Sequence, residues 1–319
     1  SGRALGVLDA WMWARGPKER PAVKESTRWV EGYGIVADLA ETVPDVRLVY
    51  VADREGDLRA LMDTAARRGC PADWLIRSQH DRNTADGDKL WGRLARSEAR
   101  GEVEFALPAA PGRPARVVRQ TLYRDAVTLP ARKGAPAVTA TAILAREEQP
   151  PTGQQAVAGR LLTNREADTL EAMVELIDGY RRRWLAEIFF RILKAGCRVE
   201  ALQLGTLERL ERALVIYLII AWRTLHLVTW GRHCPNLPCE VVFDPEEWQA
   251  AWIVAHRTKP PETPPPLSQR VRLIAGFGGF LGRKGDGHPG PKSLWEGLQR
   301  VQMVALGVAA AKAAYASNG

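Results

Sequence analysis

Tyr180, Arg183, Glu187 and Lys194 stand at offsets of 0, 3, 7 and 14 along one apolar-and-basic stretch of the chain. On a continuous helix, at about 100° per residue, those offsets fall within one narrow stripe. The stripe would carry a phenol, a guanidinium, a carboxylate and an ammonium in a row. A lone carboxylate flanked by phosphate-binding donors suits metal-assisted phosphoryl transfer on a nucleic-acid backbone. A plainer reading makes Glu187 the other half of an i,i+4 pair with Arg183, worth about 0.3–0.5 kcal/mol at an exposed site. Both hold at once if Arg183 orients Glu187 while Glu187 binds a metal. The neighbours Trp184, Ile188, Phe189 and Phe190 are apolar, so part of this helix packs into a core.

A second carboxylate, Asp53, follows the short apolar run Arg47–Ala52. Such a run reads as a buried strand, and open α/β sheets place ligand sites at the carboxyl ends of strands. There a carboxylate can hold a hard divalent cation or cap the helix that follows, and position alone leaves both open. Glu55 and Asp57 read as first-turn negative charge.

Lys24-Glu25-Ser26 reads as the opening of an amphipathic helix that runs to about Leu39, residues 56–68 as a second helix ending at Gly69, and Asp73–Arg77 as a strand. Residues 6–14 alternate loosely and read as a further strand. This β-α-β-α-β order implies a sheet flanked by helices. From about 88 to 164 short β-branched runs separated by Pro and Gly turns suggest a small antiparallel sheet inserted into the α/β unit. Residues 167–195 are predicted as one long helix, and a helical region with a Pro-rich linker at 260–266 follows. The expected segments are therefore 1–87, 88–164, 165–205 and 206–319.

The 319 residues suffice for one large domain or two ordinary ones, and 46% are hydrophobic, enough for a sizeable core. A net charge of +8 favours a polyanionic partner. Four scattered cysteines exclude a disulfide framework and point to a reduced, cytoplasmic protein. His233, Cys234 and Cys239 are too few for a zinc site without further ligands. The most apolar run, Ala213–Trp222, is short for a membrane span and reads as a buried helix. The basic run Pro111–Arg119 is a candidate DNA contact or a solvated loop, and most of the tryptophans sit among apolar neighbours, as core residues do.

Tyr180-x2-Arg183-x3-Glu187-x6-Lys194 is similar to the Y-(2)-R-(3)-E-(6)-K signature of bacterial insertion-sequence DDE transposases. Val49–Asp57 resembles their second catalytic block, and Leu161–Asn164, Gly278–Leu281 and Leu294–Gly297 resemble further parts of the same family. The resemblance implies a ribonuclease-H-like α/β core with an inserted β subdomain and a helical C-terminal region that includes a dimerisation helix. It implies metal-dependent cleavage and strand transfer at the ends of a mobile element, with Mg²⁺ or Mn²⁺ held by carboxylates, in a homodimer on double-stranded DNA. Carried over by position, Asp53 and Glu187 become catalytic metal ligands. Tyr180, Arg183 and Lys194 become phosphate ligands, Arg77 a DNA-contacting arginine, and Arg191 a further contact on the same backbone.

Two departures qualify it. The first acidic residue of the family is missing, which suggests that the first two core strands lie upstream of Ser1. Asp9 is the one substitute in reach, though its segment matches the family's third strand better. Where some members carry a tryptophan that stacks on a flipped base, this chain has Val157–Arg160. A truncated, non-catalytic DNA-binding and dimerising remnant therefore stands as the alternative reading. A weaker one is an unrelated ribonuclease-H-type nuclease without preference for particular DNA ends.

Overall fold

Alternation along two short strands sets the layers of the structure, a computed structural model that describes residues 3–12, 25–110 and 112–316. In β1 (Val49–Ala52) Tyr50 and Ala52 face one way and Val49 and Val51 the other. In β2 (Asp73–Arg77) Trp74 and Ile76 share the first face, and Leu75 the second. The first face is covered by α1 (Thr27–Thr42), whose Tyr33, Ala37 and Ala40 recur at helical spacing, and by α2 (Arg59–Arg67), which ends at Gly69 with φ +73°. The short α3 (Leu90–Leu94) completes that layer.

β1 and β2 are parallel, with Ala52 opposite Ile76. β3 (Ala99–Leu107), β4 (Arg116–Leu129), β5 (Val138–Arg146) and β6 (Ala158–Thr163) are antiparallel neighbours, giving one sheet in the order β1-β2-β6-β5-β4-β3. The strands expected to form a separate small sheet thus continue the first one. The reason lies in β6: Leu161, Leu162 and Thr163 are all buried, so this strand needs cover on both faces and a partner on each side. It finds them in β2 and β5. Asn164, just beyond, accepts the Trp74 N–H (2.7 Å) and donates to Asp73 (3.0 Å), fixing the start of β2. On the second face lies α4 (Leu170–Arg181), capped by the Thr169 hydroxyl and packed through Met173, Leu176 and Ile177.

The chain divides after Arg183. Gly16–Arg183 forms the sheet unit; Trp184–Gly319 with Ser1–Arg15 forms a helical unit. The latter contains α5 (Trp184–Arg191), a π turn over Ile192–Gly196, α6 (Leu207–His233), α7 (Pro245–His256), α8 (Leu267–Phe277) and α9 (Pro291–Ala316). Two glycines let α8 and α9 touch backbone to backbone. A Cβ on Gly297 would stand 1.9 Å from the Ile274 carbonyl oxygen, and one on Gly278 would stand 1.8 Å from that of Ser293.

Three expectations are corrected. Residues 167–195 are not one helix: hydrogen bonding tightens from i,i−4 at Arg182 to i,i−3 at Arg183, and α4 ends there. Residues 6–12 form no strand, and residues 13 and 14 lie outside the described ones. Just before that segment the chain lies against α6: the Ala4 carbonyl accepts Trp222 Nε1–H (2.9 Å) and lies 3.2 Å from His226 Nδ1. Nor is α6 buried throughout. Leu225, Leu227 and Val228 are in the core, but Val215, Ile216 and Ile219 are half exposed or more. By length and composition alone α6 could cross a membrane.

Candidate active site

Asp53 ends β1, and Arg77 is the last residue of β2. Each lies one position beyond the Ala52–Ile76 pair, at the carboxyl edge of adjacent parallel strands. By alternation both belong to the face that α4 covers. The C-terminal end of α4 brings Tyr180 and Arg183 to the same edge, Tyr180 lining a cavity with Arg77 and Arg183 facing Asp53. Arg183 Nη1 lies 3.7 Å from Asp53 Oδ2. A cavity of about 170 Å³ beside them is lined by Arg77, Phe105, Gln120, Ile143, Tyr180 and Arg181 among others.

Asp53 also caps the 3₁₀ turn Arg54–Gly56, its Oδ1 accepting the Glu55 N–H at 2.9 Å. Its side chain stays about one-third exposed. A carboxylate with one oxygen on a backbone N–H and the other loosely facing a guanidinium can still ligate a hard cation. Close by, burial and the Asp53 charge push the Tyr50 phenol well above its ordinary pKa, so it stays protonated. The Tyr180 hydroxyl is buried with no hydrogen-bond partner among the described residues. A buried donor without an acceptor is costly, and a phosphate oxygen is one group that would satisfy it.

Glu187 and Arg191, both exposed, lie on α5, and Lys194 lies in the π turn, where Cys197 N–H bonds the Ile192 carbonyl at 2.8 Å. Lys194 Nζ is 3.4 Å from Glu200. The four signature residues therefore do not share one uninterrupted helix, as their spacing suggested. Tyr180 and Arg183 belong to the sheet unit, and Glu187, Arg191 and Lys194 to the helical one. Among the described residues no group of three or more His, Cys, Asp or Glu gathers as a metal cluster. The donor types of Asp53 and Glu187 nevertheless suit Mg²⁺ or Mn²⁺, which prefer carboxylate oxygen.

The transposase DDE domain family matches residues 34–223, more than half of the chain. The chain belongs to the DDE transposases. In this transposase the match takes in every residue of the edge cluster and the π turn. The transposase Tn5 dimerisation domain family matches residues 219–319, from the middle of α6 onward. The six-stranded mixed sheet with helices on both faces accords with the ribonuclease-H-like architecture expected of a DDE transposase with a helical C-terminal region.

Other residues of this transposase make contacts of their own. Asp9 is exposed and in no strand, its Oδ1 accepting the Ala10 N–H at 2.8 Å. Arg116 pairs with Glu147, and Arg119 with Glu104, so the basic run is partly neutralised; Pro111 lies outside the described residues. Arg181 stacks 4.5 Å above the Phe105 ring. Cys239 is buried in apolar core, which raises its thiol to about 11, and His233 Nδ1 is 2.9 Å from the Thr229 carbonyl.

Asp57 is the residue that sequence reasoning misplaced. Its side chain is fully buried rather than a first-turn surface charge. Oδ2 accepts from Ser78 Oγ (3.0 Å), Gln79 N–H (2.7 Å) and His80 N–H (3.0 Å). Oδ1 faces Arg82 Nη1 at 2.6 Å, an ion contact bent away from hydrogen-bond geometry, while Arg82 Nη2 donates to the Asp57 carbonyl at 2.7 Å. Burial pulls the Arg82 pKa below its ordinary value, opposed by Asp57. A signal was present in the buried polar pair Asp57 and Ser78 at the two strand exits, but nothing in the spacing paired them.

Proposed function

We propose that the chain cuts and joins DNA at the ends of a mobile element, with Asp53 and Glu187 as metal ligands. The observation that carries this reading is the gathering of Asp53, Arg77, Tyr180 and Arg183 at the carboxyl edge of β1 and β2, within the segment that matches the DDE domain. Magnesium or manganese, when bound, would activate water or a DNA 3′-hydroxyl for in-line attack on a phosphodiester. Asp53 presents its carboxylate at the strand end and Glu187 supplies a second from α5. Arg183, 3.7 Å from Asp53 Oδ2, would turn toward a phosphate oxygen when a cation takes its place. The Tyr180 hydroxyl donates to phosphate, Arg77 binds the backbone at the end of β2, and Arg191 and Lys194 add positive charge from the helical unit. The match of residues 219–319 to a dimerisation domain supports two copies acting on paired double-stranded ends.

The test is metal-dependent nicking of a duplex carrying the element's end. Glu187→Ala should abolish nicking with Mg²⁺ or Mn²⁺ while leaving duplex affinity within about threefold, about 0.6 kcal/mol. Undiminished nicking would remove Glu187 from the metal site. Duplex binding by the wild-type chain without any nicking would favour a binding and dimerising role over an enzymatic one.

A further inference from the structure

Building on the transposase reading, we infer that Asp57 is a positioning residue for DNA. It holds the turn Ser78–Arg82, at the exit of β2, in the one shape that aims Arg77, Gln79 and His80 at a phosphate backbone.

The geometry is specific to this turn. Three consecutive residues, Ser78, Gln79 and His80, each send a donor into a single carboxylate oxygen. The turn is pinned from its other flanks as well. Ser78 N–H bonds the Arg160 carbonyl (2.8 Å), Trp91 Nε1–H bonds the His80 carbonyl (3.1 Å), and Asp81 Oδ1 accepts the Trp91 N–H (2.9 Å). Burying a carboxylate is expensive unless donors surround it, and a free solvent loop needs no such anchor. The side chains that the anchored turn leaves outside are Gln79 and His80, both exposed, next to Arg77, which lines the cavity beside Tyr180. Asp57 follows Asp53 by one 3₁₀ turn, so the same short segment carries the edge carboxylate and the anchor of the neighbouring strand's exit. Holding three donors in fixed geometry before DNA arrives removes the ordering cost from binding.

The full-length chain is tested with linear duplex DNA over a range of salt concentrations, with amide hydrogen exchange on the free protein. In the wild type the Gln79 and His80 amides are expected to be protected. In Asp57→Asn, which removes the negative charge that the three donors and Arg82 face, they should exchange at least about tenfold faster. Duplex affinity should fall about tenfold, and the slope of log affinity against log salt should shrink by about one phosphate contact. Ser78→Ala removes one of the donors and should shift the same quantities less, which keeps the test available if Asp57→Asn does not fold. Leu122→Ala, a cavity in the sheet core at a fully buried position, controls for stability: it should lower the melting temperature without changing the salt slope. An Asp57→Asn protein with wild-type affinity and slope, or with Gln79 and His80 amides as protected as before, overturns the inference. So does an Asp57→Asn protein that weakens binding only as much as Leu122→Ala does at an equal loss of stability. A wild-type chain with no duplex affinity overturns the transposase reading itself and this inference with it, an outcome visible before any variant is made.

Discussion

Tyr180 keeps its hydroxyl buried without an acceptor among the described residues, a liability that a structural role would not explain. Deleting the oxygen should therefore cost the fold nothing. Tyr180→Phe is expected to unfold within about 0.5 kcal/mol of the wild type in urea, yet to bind duplex DNA severalfold more weakly. Equal affinity would leave the phenol without a partner and remove it from the DNA contacts. Of the two readings of Asp53, the structure shows the cap on the turn that follows β1, and the side chain stays about one-third exposed. Types and spacing drew attention to Asp53 at a strand end and to Tyr180 and Arg183 at helical offsets, whereas Arg77 came from the family resemblance alone. They could not reveal Asp57, whose partners arise from a second strand exit about twenty residues away.

At the scale of elements, the closest approaches are made by glycine. A Cβ on Gly56 would lie 2.5 Å from that of Ala52, so the 3₁₀ turn rests directly on the end of β1. Gly56→Ala should cost at least about 1–3 kcal/mol by overpacking. It should also depress nicking more than duplex binding, since the turn it lifts carries Asp53; urea melts and parallel nicking and binding assays measure both. Cys197, packed beside the π turn, gives a pH signature. Burial raises its thiol from the ordinary 9 to about 11, so between those values the folded chain holds a proton that the unfolded chain has released. Stability is then intact below about pH 9 and falls by about 2 kcal/mol by pH 11. Denaturant melts at pH 8.5 and 11 should show this difference, and Cys197→Ala should remove it. β1, α2 and β2 were legible because apolar runs end at turn residues such as Gly69. The break after Arg181 was not: no glycine or proline stands between Tyr180 and Phe190, and only the tightened hydrogen bond at Arg183 ends the helix. The single sheet was hidden for a similar reason, since the pairing of β6 with β2 is long-range.

For the whole molecule, the two compact units carry different parts of the signature, and their stabilities should be separable. Gly297→Ala forces α9 off α8, so a calorimetric scan should show the transition of the helical unit moved down or lost while that of the sheet unit stays. A uniform shift of one transition would mean that the units melt together. Composition pointed to a basic chain suited to a polyanionic partner, and neither composition nor spacing foretold where the chain divides. β1, which delivers Asp53, is one of the two edge strands, joined to the rest of the sheet through β2 alone among the described residues. Outer strands open before a sheet melts. On warming, the carboxylate at the tip of β1 would lose its place while most of the protein is still folded, so cutting would fade at a temperature at which circular dichroism still reports a native molecule.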